Sequence, residues 1–204
     1  MSNRQLLQQS VSIFDTLEKW NALFEIHSLA GQIIETWMEE GACALRSDFA
    51  GRPSADWTCE EYEAKRETVW YLSELGRDSI SLVFAWPLWE FHLIFKAPAP
   101  FDETEAKRLL GTDEFQPLLA NFNPDEVLNK AGGYRSLASD STFNPLSNVS
   151  EEPTRLRELA WYAGHKTDRF VDEMSKHVRR ITDNRTLTAL VMELNVQAKA
   201  APGK

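Results

Sequence analysis

A chain of 204 residues with 43% hydrophobic and 26% charged side chains, including 11 Phe, 7 Trp and 4 Tyr, has enough bulky apolar volume for one globular core, which excludes a disordered polymer. Its formal net charge of -9 disfavours general attachment to the nucleic-acid backbone, which needs clustered cations. Two cysteines, Cys43 and Cys59, are too few for a disulfide framework and make no CxxC pair, so both are expected as reduced thiols.

The charge is uneven along the chain. Residues 1–150 hold 12 Lys and Arg against 23 Asp and Glu, net -11, whereas residues 151–204 hold 10 against 8. Such an acidic stretch serves solubility or meets a basic protein. The first twenty residues mix charges and glutamines where a signal peptide needs an apolar run, and nowhere do about 18 consecutive apolar residues occur. A cytoplasmic chain without a membrane span is therefore expected, in which the sequon Asn148-Val149-Ser150 has no meaning.

From Val11 to about Glu40, apolar residues such as Ile13, Leu17, Trp20, Phe24, Ile34 and Met38 recur at three- and four-residue steps. This spacing predicts a long amphipathic helix that stops at Gly41, with Gly31 as the place for a bend or a close approach. The apolar stripe is wide, so it should pack on more than one element. His27 lies on that side, where a hydrogen-bonded core histidine is expected. Ala42 to Trp57, with Gly51, Pro53, Ser54 and Asp56, reads as a loop with a short strand at its start. Thr58 with Glu61 has the form of a capping box and predicts a second helix through Glu67. Thr68–Leu72 suits strand or helix, and Gly76–Ser79 is a turn.

Ile80–Lys96 is the densest strand-forming stretch. Ile80, Leu82, Phe84 and Trp86 alternate with smaller residues, and after Pro87 a second alternation sets Trp89, Phe91, Leu93 and Phe95 against Leu88, Glu90, His92, Ile94 and Lys96. A central hairpin with one large apolar face follows. The opposite face, carrying Glu90, His92 and Lys96, reads as solvated. If Thr68–Leu72 joins it, the sheet is a three-stranded antiparallel meander. Asp102 to Leu110 predicts a helix closed by Gly111, with acids at its start and Lys107 and Arg108 at its end. Residues 112–150, rich in Pro, Gly, Asn and Ser, are expected as loops with short helical turns such as Asp125–Lys130. Ser150-Glu151-Glu152-Pro153 is a helix start, and the helix it opens should run to about Ile181 with Leu156, Leu159, Ala163, Phe170, Met174, Val178 and Ile181 buried. Thr182-Asp183-Asn184 breaks it before a last helix carrying Leu187, Leu190, Val191 and Leu194.

The expected fold is α+β, predominantly helical, with a small antiparallel sheet centred on residues 80–96 and long amphipathic helices near both ends. Residues 1–204 are expected to form a single globular domain with frayed ends at about 1–9 and 198–204.

GxxxxGK[ST], GxGxxG, GxSxG and HExxH are all absent, so no common motif fixes a reaction. Glu90 and His92 share a strand face two residues apart, the arrangement in which a carboxylate orients an imidazole for general-base work or metal ligation. Asp78 and Glu90, with His92 two further on, resemble the spacing of the restriction-type nucleases, whose Asp and Glu-x-Lys bind a divalent cation beside a lysine; here histidine stands at the lysine position. Lys176, His177, Arg179, Arg180 and Arg185 form a candidate phosphate or acidic-partner site, set against the plainer reading of helix-end cations on a solvated surface. Trp86 and Trp89 at the hairpin turn are core residues or, if uncovered, a binding patch. The acidic pairs Glu39 with Glu40 and Asp102 with Glu103 are candidate rim contacts. The preferred reading is a non-catalytic binding or inhibitory protein of immunity or regulatory type, presenting its acidic surface to a basic protein partner, with no cofactor and no resident metal. The alternative is a metal-dependent hydrolase or nuclease using Glu90 and His92.

Overall fold

The computed structural model describes residues 13, 15–62, 67–86, 90–96, 101–122, 134–140 and 154–199. The fold is α+β. Among the described residues are six helices, α1 (Leu17–Gly51), α2 (Glu103–Leu110), α3 (Gln116–Leu119), α4 (Thr154–His165), α5 (Thr167–Thr182) and α6 (Arg185–Gln197). Five strands, β1 (Trp57–Tyr62), β2 (Glu67–Leu72), β3 (Ser81–Ala85), β4 (Glu90–Lys96) and β5 (Tyr134–Asp140), make one antiparallel meander in the order β1-β2-β3-β4-β5. No helix among them is long and apolar enough to cross a membrane.

The central hairpin sets the register. Leu82 pairs with Leu93 and Phe84 with Phe91, so the alternation in both strands turns one continuous apolar face inward. Ile80, Leu82, Phe84, Trp86, Phe91, Leu93 and Phe95 are all buried, joined there by Trp57, Trp70 and Leu72. The helices cover this face, as layer packing requires. Phe91 stacks on Phe122 at 5.8 Å, Trp86 meets Phe170 of α5 at 5.5 Å, and α6 is pinned to the sheet by Asn195, which bonds both backbone groups of Ile80.

The opposite face corrects an expectation. Val69, Tyr71, Val83 and Ile94 form a second buried apolar cluster, and His92 beside them is only 7% exposed, so this face is not simply solvated. His27 is also reversed, because α1 leaves it exposed rather than in the core.

The capping-box helix from Thr58 is instead strand β1. Its residues pair with β2 from Trp57–Leu72 to Tyr62–Glu67, and Thr58 bonds Ser73 across the strands at 2.7 Å. Strand β5 occupies part of the region read as loops, pairing with β4 through a register shift between Leu93 and Ile94. The expected turns at Asp125–Lys130, the helix start at Ser150–Pro153 and the turn residues Pro87–Trp89 lie outside the described residues. Helix α1 continues through Gly31, where a Cβ would meet nothing within 4 Å and so no close approach is made, and it runs ten residues past Gly41. A Cβ on Gly41 would stand 3.0 Å from Ala163 Cβ and 3.1 Å from Trp86, so this glycine marks close packing rather than a helix end.

The long C-terminal helix divides at Lys166 into α4 and α5, with the expected stripe of Leu159, Ala163, Phe170, Met174, Val178 and Ile181 buried. Helix α2 starts and stops as read, its Asp102 carboxylate accepting from the Thr104 and Glu105 amides. At the C-terminus the Ala198 carbonyl accepts from the Asp102 amide, and Lys199 bridges Phe101.

Candidate functional site

Successive turns of α1 place Glu35, Met38, Glu39, Ala42 and Cys43 on one side of the helix, where they face Glu61 of β1 across a cleft of about 440 Å³. Trp86, just past β3, forms the floor. Its indole is 1% exposed, held by an N–H donated to Thr68 Oγ1 at 2.9 Å and by the edge of Phe84 at 5.0 Å. Trp86 is thus a rigid apolar wall belonging to the core.

The walls are acidic. Glu35 and Glu39 stand four residues apart on α1, a spacing at which like charges repel, and Glu61 faces them. Among the described lining residues none is cationic, and Arg46, one turn further along α1, reaches Glu61 at 3.4 Å. Cys43 is exposed at the same place. A concave, acidic, partly apolar site of this kind accepts a cationic group with a long aliphatic stem, such as a lysine or arginine side chain.

The residues singled out from sequence are distributed as follows. Glu39 and Trp86 meet in the cleft. Glu40 is exposed on α1 but does not line it, and Trp89 lies outside the described residues. Asp102 and Glu103 begin α2, which packs near β5 at the far sheet edge from β1, so they belong to a separate surface. Both also serve their own helix, Asp102 as its cap and Glu103 as partner of Lys107 at 2.7 Å.

Glu90 and His92 do come together, Glu90 Oε2 standing 3.3 Å from His92 Nε2 on the half-buried outer face. Among the described residues His92 Nδ1 has no hydrogen-bond partner. Asp78 precedes β3, whereas Ala85 at the other end of that strand pairs with Glu90. Ala85 lies four strand residues, about 13 Å, beyond Ser81 and so farther still from Asp78, which keeps Asp78 away from Glu90, and the nuclease-like triplet is not assembled. Among the described residues no group of three or more His, Cys, Asp or Glu could hold a metal ion.

The basic cluster near the end of α5 is largely engaged within the chain. Lys176 pairs with Asp172 at 2.8 Å and Glu173 at 3.0 Å, and Arg180 donates to the Asn121 carbonyl at 3.0 Å. Arg179 donates to the Arg52 carbonyl at 2.8 Å, lies over the Phe49 ring and approaches Asp48 at 3.7 Å. Arg179 thus fastens α5 to the end of α1, while Lys176 pairs within α5 and, like Arg180, stays exposed.

Sequence reasoning missed Glu35, Cys43 and Glu61. The i,i+4 repetition of Glu35 and Glu39 was the available signal, while Glu61 joins them only because β1 is a strand beside α1. No family model matches the chain, and no curated protein or solved structure matches it significantly.

Proposed function

We propose that this protein is a non-catalytic binding or inhibitory protein, of immunity or regulatory type, that captures a basic protein partner through its acidic surface. The cleft of Glu35, Glu39 and Glu61 over Trp86 carries this reading. Its apolar floor and three carboxylates complement a lysine- or arginine-bearing segment, and the net charge of -11 over residues 1–150 adds long-range attraction.

Capture of a partner from native lysate, followed by association kinetics, tests it. The on-rate should fall as ionic strength passes about 0.1 M, where the Debye length is about 10 Å. Glu35→Lys with Glu39→Lys should slow association at least about 10-fold at low salt. Attaching a bulky maleimide to Cys43 should block binding. An on-rate indifferent to salt and to these changes overturns the reading, as does recovery of nucleic acid instead of protein.

The second reading, a hydrolase using Glu90 and His92, is favoured by their 3.3 Å approach in a half-buried setting. Hydrolytic activity in the purified protein that disappears in His92→Ala, with the circular dichroism spectrum unchanged, would put it first.

A further inference from the structure

Arg46 brings a cation of this chain to one of the cleft's own carboxylates. It stands on α1 four residues after Ala42 and three after Cys43, both of which line the cleft, so its stem leaves the same side of the helix. Helix α1 places it there because it continues past Gly41, and β1 returns beside it carrying Glu61. The Arg46 guanidinium reaches the Glu61 carboxylate at 3.4 Å, and its charge is also felt at the Cys59 thiol, two residues back on the same face of β1. The pair is unequal, since 15% of the Glu61 side chain is exposed against 46% for Arg46. A sheltered carboxylate gains from holding a cation, whereas a half-exposed guanidinium returns to water easily. Among the described residues Glu61 is the one ion-pair partner of Arg46, in contrast to Arg179 and Arg180, which hold backbone carbonyls of other elements. Arg46 is therefore free to leave without unfastening any part of the fold.

We propose that Arg46 is an internal competitor for the cleft: it occupies Glu61 in the free protein, and a lysine or arginine side chain of the partner takes its place. This rests on the cleft being the capture site. The exchange keeps a cation on Glu61 throughout, so neither state leaves the sheltered carboxylate unpaired. Affinity for a cationic ligand is lowered to the extent that Glu61 is already held in the free chain. The cleft thereby discriminates among cations. A bare charge does little better than Arg46, whereas a side chain that also lays its stem on the Trp86 floor and meets Glu39 displaces it.

A capped tetra-arginine peptide, titrated into the full chain and followed by NMR at the Trp86 indole N–H on the cleft floor, tests this. Arg46→Gln, a change at a half-exposed side chain, should bind the peptide about 2- to 5-fold more tightly than the wild type, the range set by one partly exposed ion pair. Lys19→Gln removes the same charge near the other end of α1, roughly 40 Å away by helix rise, and should change the affinity far less. In a Glu61→Gln background, nearly isosteric, the gain from Arg46→Gln should largely disappear, because no carboxylate is left to contest. An equal gain in both backgrounds, or no gain in a chain that binds the peptide at Trp86, would overturn the proposal and leave the cleft standing. A Trp86 resonance unmoved by the peptide in every variant would overturn the cleft reading, and the proposal with it.

Discussion

Asn195 is the polar residue on which the joint between α6 and the sheet depends. It is 1% exposed; its Oδ1 accepts from the Ile80 amide at 2.7 Å, and its Nδ2 donates to the carbonyls of Ile80 and Val191 at 3.2 and 2.8 Å. Ile80 precedes β3, stands outside the strand pairings and is itself fully buried. Replacing Asn195 with alanine strands a buried N–H and a buried carbonyl, each costing about 1–3 kcal/mol, whereas Val191 loses only an extra bond. The sum, about 2–6 kcal/mol, is a large share of the 5–15 kcal/mol typical of a domain. Asn195→Leu, which preserves side-chain volume, should cost as much, because the loss lies in hydrogen bonding and not in a cavity. In Asn195→Asp an ionised carboxylate would face the Ile80 carbonyl, so the folded state holds its proton more tightly than the unfolded state and stability should recover as the pH falls. Urea unfolding with linear extrapolation measures all three. Losses under about 1 kcal/mol in both the alanine and leucine variants would refute the reasoning.

Phe84→Ala and Phe91→Ala should each cost about 3–5 kcal/mol in the same assay, since both rings are buried on the inner face. Gly164→Ala would drive a Cβ into the Trp37 indole, 2.5 Å from Cγ and 2.7 Å from Nε1, and should cost at least about 1–3 kcal/mol, while Gly31→Ala, open on all sides within its helix, should be neutral or stabilising by up to about 1 kcal/mol in thermal melts. Burial, with Glu60 and Glu61 nearby, pushes the Cys59 thiol up to about 12, so iodoacetamide at pH 8 should label exposed Cys43 well before Cys59 by mass spectrometry. Burial alone would raise the Asp48 carboxyl, but hydrogen bonds from Arg52 and Ser175 and the charges of Arg52 and Arg179 bring it below its usual value. Asp48 therefore contributes stability at neutral pH that is lost as pH falls through its folded pKa, and the deficit of Asp48→Asn measured at pH 7 should shrink towards pH 3.

The inner face of the sheet was legible because period-two alternation in β3 and β4 records burial directly. Helices α2 and α6 were legible through their terminal signals, the Asp102 cap and the Asn184 break. β1 was not, since Thr58 with Glu61 satisfies a local helix rule that pairing with β2 overrides, a contact distant from that window. β5, sequence YRSLASD, has little strand propensity and is recruited by the free edge of β4. Gly41 misled for a different reason. Sequence shows a missing side chain but not whether the space serves a chain reversal or the approach of Trp86 and Ala163.

The site was legible only in pieces, because a cleft is a relation between elements. Glu39 and Trp86 were chosen for unrelated reasons and meet only when α1 crosses beside β1 and the end of β3. That relation separates neighbours on one helix: Glu39→Lys should slow capture of a basic partner, whereas Glu40→Lys, exposed one residue on but outside the cleft, should change the on-rate far less, and equal losses from the two would mean that the acidity of the whole surface, and not the cleft, does the binding.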